Sequence, residues 1–171
     1  MHRSLLISCL AVGLSTLAFE ANAAKPAIAS QTAAGANLGA YRTFSWVSTT
    51  APDGVNPVAY QQAINDVNAA LESRGYVQAA AGDLSLIMSY GKENRADFDT
   101  FGYDQVDASL YTVGKVSVDA FDTKTKQPVW HGQASERVNP DKVNPGAVDT
   151  AVHDLMAKWP SNAAGASSAS P

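Results

Sequence analysis

The chain has 171 residues, 12 lysines and arginines against 16 acids, a net charge of −4 and a single cysteine. A mildly acidic chain without a basic cluster carries no electrostatic footprint for nucleic acid or for an anionic membrane surface. One cysteine excludes an internal disulfide framework and any thiolate metal cluster.

The N-terminus reads as a secretory signal. Arg3 precedes an apolar run from Leu5 to Phe19, and Ala21 and Ala23 in "EANA" fit the small-residue cleavage pattern, so cleavage is expected after Ala23. The run is shorter than the ~18 residues a spanning helix needs, and no later segment approaches that length. "LISC" before Cys9 resembles the box around a lipidated cysteine. Cleavage there would leave too short a hydrophobic region for export, so a lipid anchor at Cys9 is not expected. Removing the first 23 of 171 residues leaves a cysteine-free chain of 148 whose charge stays at −4, because Arg3 and Glu20 leave together. The expected location is periplasmic or secreted.

Residues 24–39 are small, polar and almost free of aromatics, as are residues 161–171. The first reads as a flexible linker and the second as a disordered tail. Between them, residues 40–160 make one domain, long enough to bury roughly two thirds of its unfolded surface. "YRTFSWV" alternates, placing Phe44 and Trp46 on one face of a strand. A helix follows, with Asn56 as cap, Pro57 opening it and Gly75 stopping it after Arg74. Tyr60, Ile64, Val67 and Leu71 form its apolar stripe. "DLSLIMSY" is a second strand with Leu84, Leu86, Met88 and Tyr90 on one face.

A loop is expected from Lys92 to Leu110, holding Glu93, Asp97, Asp99, Asp104 and Asp107 among Phe98, Phe101 and Tyr103. "TVGKVSVDAFD" and "VWHGQASERV" then alternate around the turn "DTKTKQP". They form a hairpin with Val116, Val118, Ala120 and Trp130 on the apolar side and His131 on the other. A last helix starts at Asn144 and Pro145, lines Val148, Val152, Leu155 and Trp159 along one face, and stops at Pro160. His153 lies off that stripe beside Asp149, one turn earlier, as a solvated pair. The fold class is α+β: a two-layer sandwich with a mainly antiparallel sheet of about four strands and two helices on one face, in the order β-α-β-β-β-α.

The segments "YRTFSWV" (41–47), "RGY" (74–76), "GDLSLIMSY" (82–90), "GKVSVDAFDTKTKQPVWHGQA" (114–134) and "KWP" (158–160) occur in an order that resembles the bacterial envelope family called domain of unknown function 4136. The resemblance implies a two-layer α/β sandwich in the cell envelope, often lipid-anchored in relatives, with no assigned reaction and no catalytic residues to carry over. This chain departs from it at the anchor, since Cys9 lies too early.

Candidate chemistry is sparse. His131 with Asp119 and Asp122 offers imidazole and carboxylates across the hairpin, but a metal or acid–base site needs more convergent ligands, and Asp122 has a role in the turn. Read as a calcium loop starting at Asp97, the 92–110 segment has Asp99 and Gly102 in place. Phe101 and Ala108 stand where oxygen ligands belong. No serine-nucleophile or phosphate-cradling signature is present. The sequence therefore points to a non-enzymatic interaction or structural module with no cofactor and no metal site. Its candidate surface for an envelope protein or small ligand is Phe98, Phe101, Tyr103 and Tyr111. The alternative is a periplasmic small-ligand or metal-binding protein using the same 92–110 segment.

Overall fold

The computed structural model describes residues 25–100, 106–139 and 145–160, with the backbone alone at 97–100, 106–108 and 145. The elements are β1 (Ala27–Thr32), a 3-10 turn (Leu38–Ala40), β2 (Thr43–Trp46), α1 (Pro57–Glu72), β3 (Val77–Gln78), β4 (Leu84–Thr100), β5 (Val106–Asp122), β6 (Pro128–Val138) and α2 (Pro145–Met156). One sheet orders the strands β1-β6-β5-β4-β2-β3. The pairings from β1 to β4 are antiparallel, whereas β2 runs parallel to both β4 and β3.

The α+β class and the two helices agree with the sequence. The sheet differs: it has six strands rather than about four, and it is mixed. Residues 27–32, expected within a flexible linker, form edge strand β1 against β6. "AIASQT" has only Ile28 partly buried, so the strand is held by its backbone ladder, which composition does not reveal. β3 is two residues bound through Val77 N–H to the Arg42 carbonyl and Ala79 N–H to the Phe44 carbonyl. It is too short to leave a periodic signal.

Local signals explain α1. The Asn56 side chain accepts from the Val58 and Ala59 N–H groups at 2.9 and 3.1 Å, and Pro57 fills a position where an N–H would have no partner. The helix closes in a Schellman pattern: Tyr76 N–H reaches the Leu71 carbonyl, Gly75 N–H reaches Glu72, and Gly75 takes φ +86°. The Arg74 guanidinium then donates to the Ala70 carbonyl at 2.6 Å and to the Met156 carbonyl at 2.8 Å, tying the ends of α1 and α2 together. Asn144, expected to cap α2, lies outside the described residues.

Both helices cover the same sheet face. Tyr60, Ala63, Ile64, Val67 and Leu71 from α1 and Val152, Leu155 and Met156 from α2 bury Phe44, Leu84, Leu86, Val118, Ala120 and Trp130. At one end the Trp130 and Trp159 rings lie 4.7 Å apart, Tyr76 meets Trp159 edge-on, and the Tyr76 hydroxyl donates to the Leu38 carbonyl. Gly132 is required beneath them, since a Cβ there would sit 2.2 Å from the Trp130 ring and 2.7 Å from Leu155 Cδ1. Trp46 is the tryptophan that is only partly buried; its indole N–H donates to Asn68 Oδ1 at 2.8 Å.

Candidate functional site

The segment expected as a loop is the end of a ribbon. β4 and β5 have 17 residues each and pair without interruption from Leu84–Asp122 to Thr100–Val106. β2 flanks β4 only as far as Leu86, whose carbonyl accepts from Val47 N–H at 2.9 Å. β6 flanks β5 only from Phe121 to Thr112. β4 therefore has no outer neighbour among the described residues beyond Leu86, and past Asn94 and Thr112 the two strands continue without a third for about 20 Å along β4. The sequence missed this because "GKENRADFDT" is polar on both faces, so period-two alternation of apolar and polar residues is absent.

Strand spacing builds the base of the ribbon. Glu93 and Arg95, two apart on β4, share the sheet face opposite the helices, and Lys115 of β5 joins them there. Arg95 Nε lies 3.2 Å from Glu93 Oε1, and the Lys115 ammonium binds the other carboxylate oxygen. Hydrogen bonds from Lys115 and then Arg95 hold the Glu93 carboxyl down at about 2. Across β5 and β6, the Arg137 guanidinium sits 3.6 Å over the Tyr111 ring. Val113 pairs with Glu93 on one side and Arg137 on the other, and is buried although it stands apart from the main core. Leu110, opposite Ala96 on the other face of the ribbon, is 80% exposed.

Of the four expected surface aromatics, Tyr111 is in this patch. Phe98 occupies a β4 position opposite Ala108 and its side chain lies outside the described residues, as do Phe101 and Tyr103. Ala23 also lies outside them. Asp97 and Asp99 pair with Ser109 and Asp107 on extended strands, so this backbone does not wrap as a calcium loop does. Sequence reading grouped Glu93 with the acids of a loop. Its E-x-R spacing to Arg95 becomes a same-face pair only once the segment is known to be a strand.

His131 and Asp119 are brought together as direct cross-strand neighbours, with Nδ1 and Oδ1 2.6 Å apart on the exposed face. Asp122 is turned away into the hairpin turn. One of its oxygens accepts from Lys124 and Thr125 N–H and the other from the Tyr41 hydroxyl at 2.9 Å, which lowers its pKa. Trp130 is buried behind His131, as the alternation required.

A groove of about 560 Å³ between the helices is lined by Asp66 and Arg74 of α1 and by Asp149, His153 and Met156 of α2. Burial first, then the nearby Asp149 carboxylate, raises the Asp66 pKa. His153, expected beside Asp149, has its Nδ1 3.3 Å from Asp154 Oδ1 instead. Packing of α2 on α1 turns Asp149 toward Asp66, which spacing within one helix does not show. Among the described residues no group of three or more His, Cys, Asp or Glu side chains is arranged to hold a metal ion. No helix among them is long and apolar enough to cross a membrane.

Among solved structures, the chain is similar to a DUF4136 family protein from Bacteroides thetaiotaomicron, with 13% identity and a TM-score of 0.56 over 81% of this chain and 97% of that one. It is also similar to a PDZ domain protein from Parabacteroides distasonis, with 14% identity and a TM-score of 0.56 over 80% of this chain but 36% of that one. At these identities the likeness is one of fold. No curated protein matches the chain. The family model described as a domain of unknown function, DUF4136, matches residues 28–161, from β1 to just past α2, and the chain belongs to that family.

Proposed function

We propose that this DUF4136 domain is an exported, non-catalytic interaction module of the cell envelope, and that the β4–β5 ribbon is its recognition element. The observation that carries the reading is the ribbon itself: two strands run past the body of the sheet with no strand among the described residues on their outer edges. Exposed strand edges are templates for pairing with another chain. The charged and aromatic base of the ribbon, with Arg137 on Tyr111, and exposed Leu110 on the other face supply side chains suited to protein contact.

The export signal supports an envelope location. Engagement of the candidate acid–base groups in structural contacts supports a non-catalytic role: Asp122 closes a turn, and His131 and Asp119 contact each other on the exposed face. Photo-crosslinking residues placed at Asn94 or Thr112, compared with Gln61 or Glu72 on α1, test the reading in intact cells. Adducts are expected from the ribbon positions alone. Equal labelling from α1, or none from the ribbon, would overturn it. The intact mass of the protein recovered from the envelope fraction tests cleavage after Ala23.

A further inference from the structure

The free edge of β4 has a defined direction for its backbone groups. Thr123 N–H donates to the Asp83 carbonyl, so odd-numbered residues of β4 direct their backbone groups toward β5 and even-numbered ones direct theirs outward. Leu86 is the last even residue with an outer partner, Val47. From Met88 to Thr100 no backbone hydrogen bond from another described segment reaches that edge. Among the described residues the free stretch includes residues 88 to 100, and within it Asn94 stands between Glu93 and Arg95.

From this geometry we infer that the edge pairs with the same edge of a second copy, antiparallel, about a two-fold axis at Asn94. In that register Asn94 faces Asn94, Lys92 faces Ala96 and Met88 faces Thr100. Every facing pair is of the outward-directed kind that an antiparallel ladder requires. Between them Glu93 of each copy stands opposite Arg95 of the other, at the closer, non-hydrogen-bonded spacing. Moving the axis by one residue sets Glu93 against Glu93 or Arg95 against Arg95, which repels. The charge pattern thus selects the centre.

Each Glu93 keeps Lys115 of its own chain and gains an arginine from the second copy, while two ribbons, each marginal alone, become a four-stranded sheet. The other free edges offer no comparable match. β1 carries no charged side chain to select a register, β3 is two residues long, and β5 beyond Thr112 carries Asp107 as its one charged residue.

This inference rests on the reading of the ribbon as the recognition element, and its test separates the two. Sedimentation equilibrium of the purified protein is expected to show a dimer. Arg95→Glu alone, or Glu93→Arg alone, sets like charges opposite and raises the dissociation constant about tenfold or more. The double variant Glu93→Arg/Arg95→Glu restores the dimer, and mixing the two single variants gives a heterodimer. Asn94→Pro removes an outward N–H without touching the β4–β5 ladder and gives a monomer, with far-UV circular dichroism confirming that each variant is folded. A monomeric wild type, or a dimer indifferent to these changes, overturns the inference. If a monomeric protein still crosslinks to another envelope protein from Asn94 or Thr112, the second copy is wrong as the occupant and the ribbon stands as the recognition element.

Discussion

The two ends of the long hairpin show what holds each half of this molecule. Toward Leu84 and Asp122 the strands lie under helices, and side chains alternate strictly between a fully buried face and a polar one. Toward Thr100 and Val106 the same two strands have no third strand beside them among the described residues. The covered end is stabilised by burial of apolar area, while the bare end depends on a backbone ladder and a few ion pairs that water and salt screen. A protein that keeps such a ribbon places its stability in one half and its accessible edges in the other.

Substitutions under the helices test that contrast most severely. Trp130→Ala removes a buried indole stacked against Trp159, and a loss of ~3–5 kcal/mol is expected in urea or thermal unfolding. Gly132→Ala adds a methyl group where Trp130 and Leu155 already touch the backbone, and a loss of ~1–3 kcal/mol is expected in the same measurement. A loss comparable to that of a surface change at either position would mean that α2 does not seat on β6 as described.

At the margin of the covered half, Asp83 ties the start of β2 to the approach to β4. Backbone hydrogen bonds from Arg42 and Thr43 and the Thr43 hydroxyl lower its pKa below the ordinary 3.8. Because the folded pKa is depressed, the ionised group contributes stability above pH ~4, and that contribution is lost as pH falls through the folded value. Asp83→Asn should therefore flatten the acid limb of a stability-against-pH curve below pH ~4 and leave its shape near neutrality unchanged. An unchanged acid limb would show that these bonds do not persist in solution.

The bare half should be nearly dispensable for folding. Replacing Asn94 through Thr112 with Asn-Gly closes the hairpin on Glu93 and Val113 and is expected to change stability by less than about 1 kcal/mol. A larger loss would make the ribbon part of the core. The smallest effect expected is that of His131→Ala, within about 0.5 kcal/mol, since its contact with Asp119 is on the exposed face. If His131→Ala cost more than Trp130→Ala, the assignment of the faces of β6 would be inverted.

Where apolar residues recur with a clear period, the sequence was legible. The Asn56-Pro57 start and Gly75 stop of α1, the faces of β5 and β6, and the opposition of Trp130 to His131 could all be read because burial on one side leaves its imprint on residue type. The same reading lost β1, β3 and the ribbon, because strands held by backbone hydrogen bonds leave no such imprint in "AIASQT", "VQ" or "KENRAD". The segment that carries Phe98, Phe101 and Tyr103 was expected as a loop, whereas its described residues extend β4 and β5. Tyr111 belongs to a patch that joins Glu93 and Arg95 of the expected loop to Val113, Lys115 and Arg137 from outside it.

By itself the sequence determined that this chain makes an α+β domain of the DUF4136 family, with two amphipathic helices, a hairpin turn closed by Asp122 and an apolar face that the helices must cover. Each of these is a local relation between side chains and backbone, or a periodic one along a single element. Only the tertiary structure decided that β1 closes one edge of the sheet, that β2 stops at Leu86, and that Glu93, Arg95 and Lys115 meet on an open face. Those facts depend on which strands run out of neighbours. That is a property of the whole sheet, set where one segment ends and the next does not follow, and no residue carries it alone.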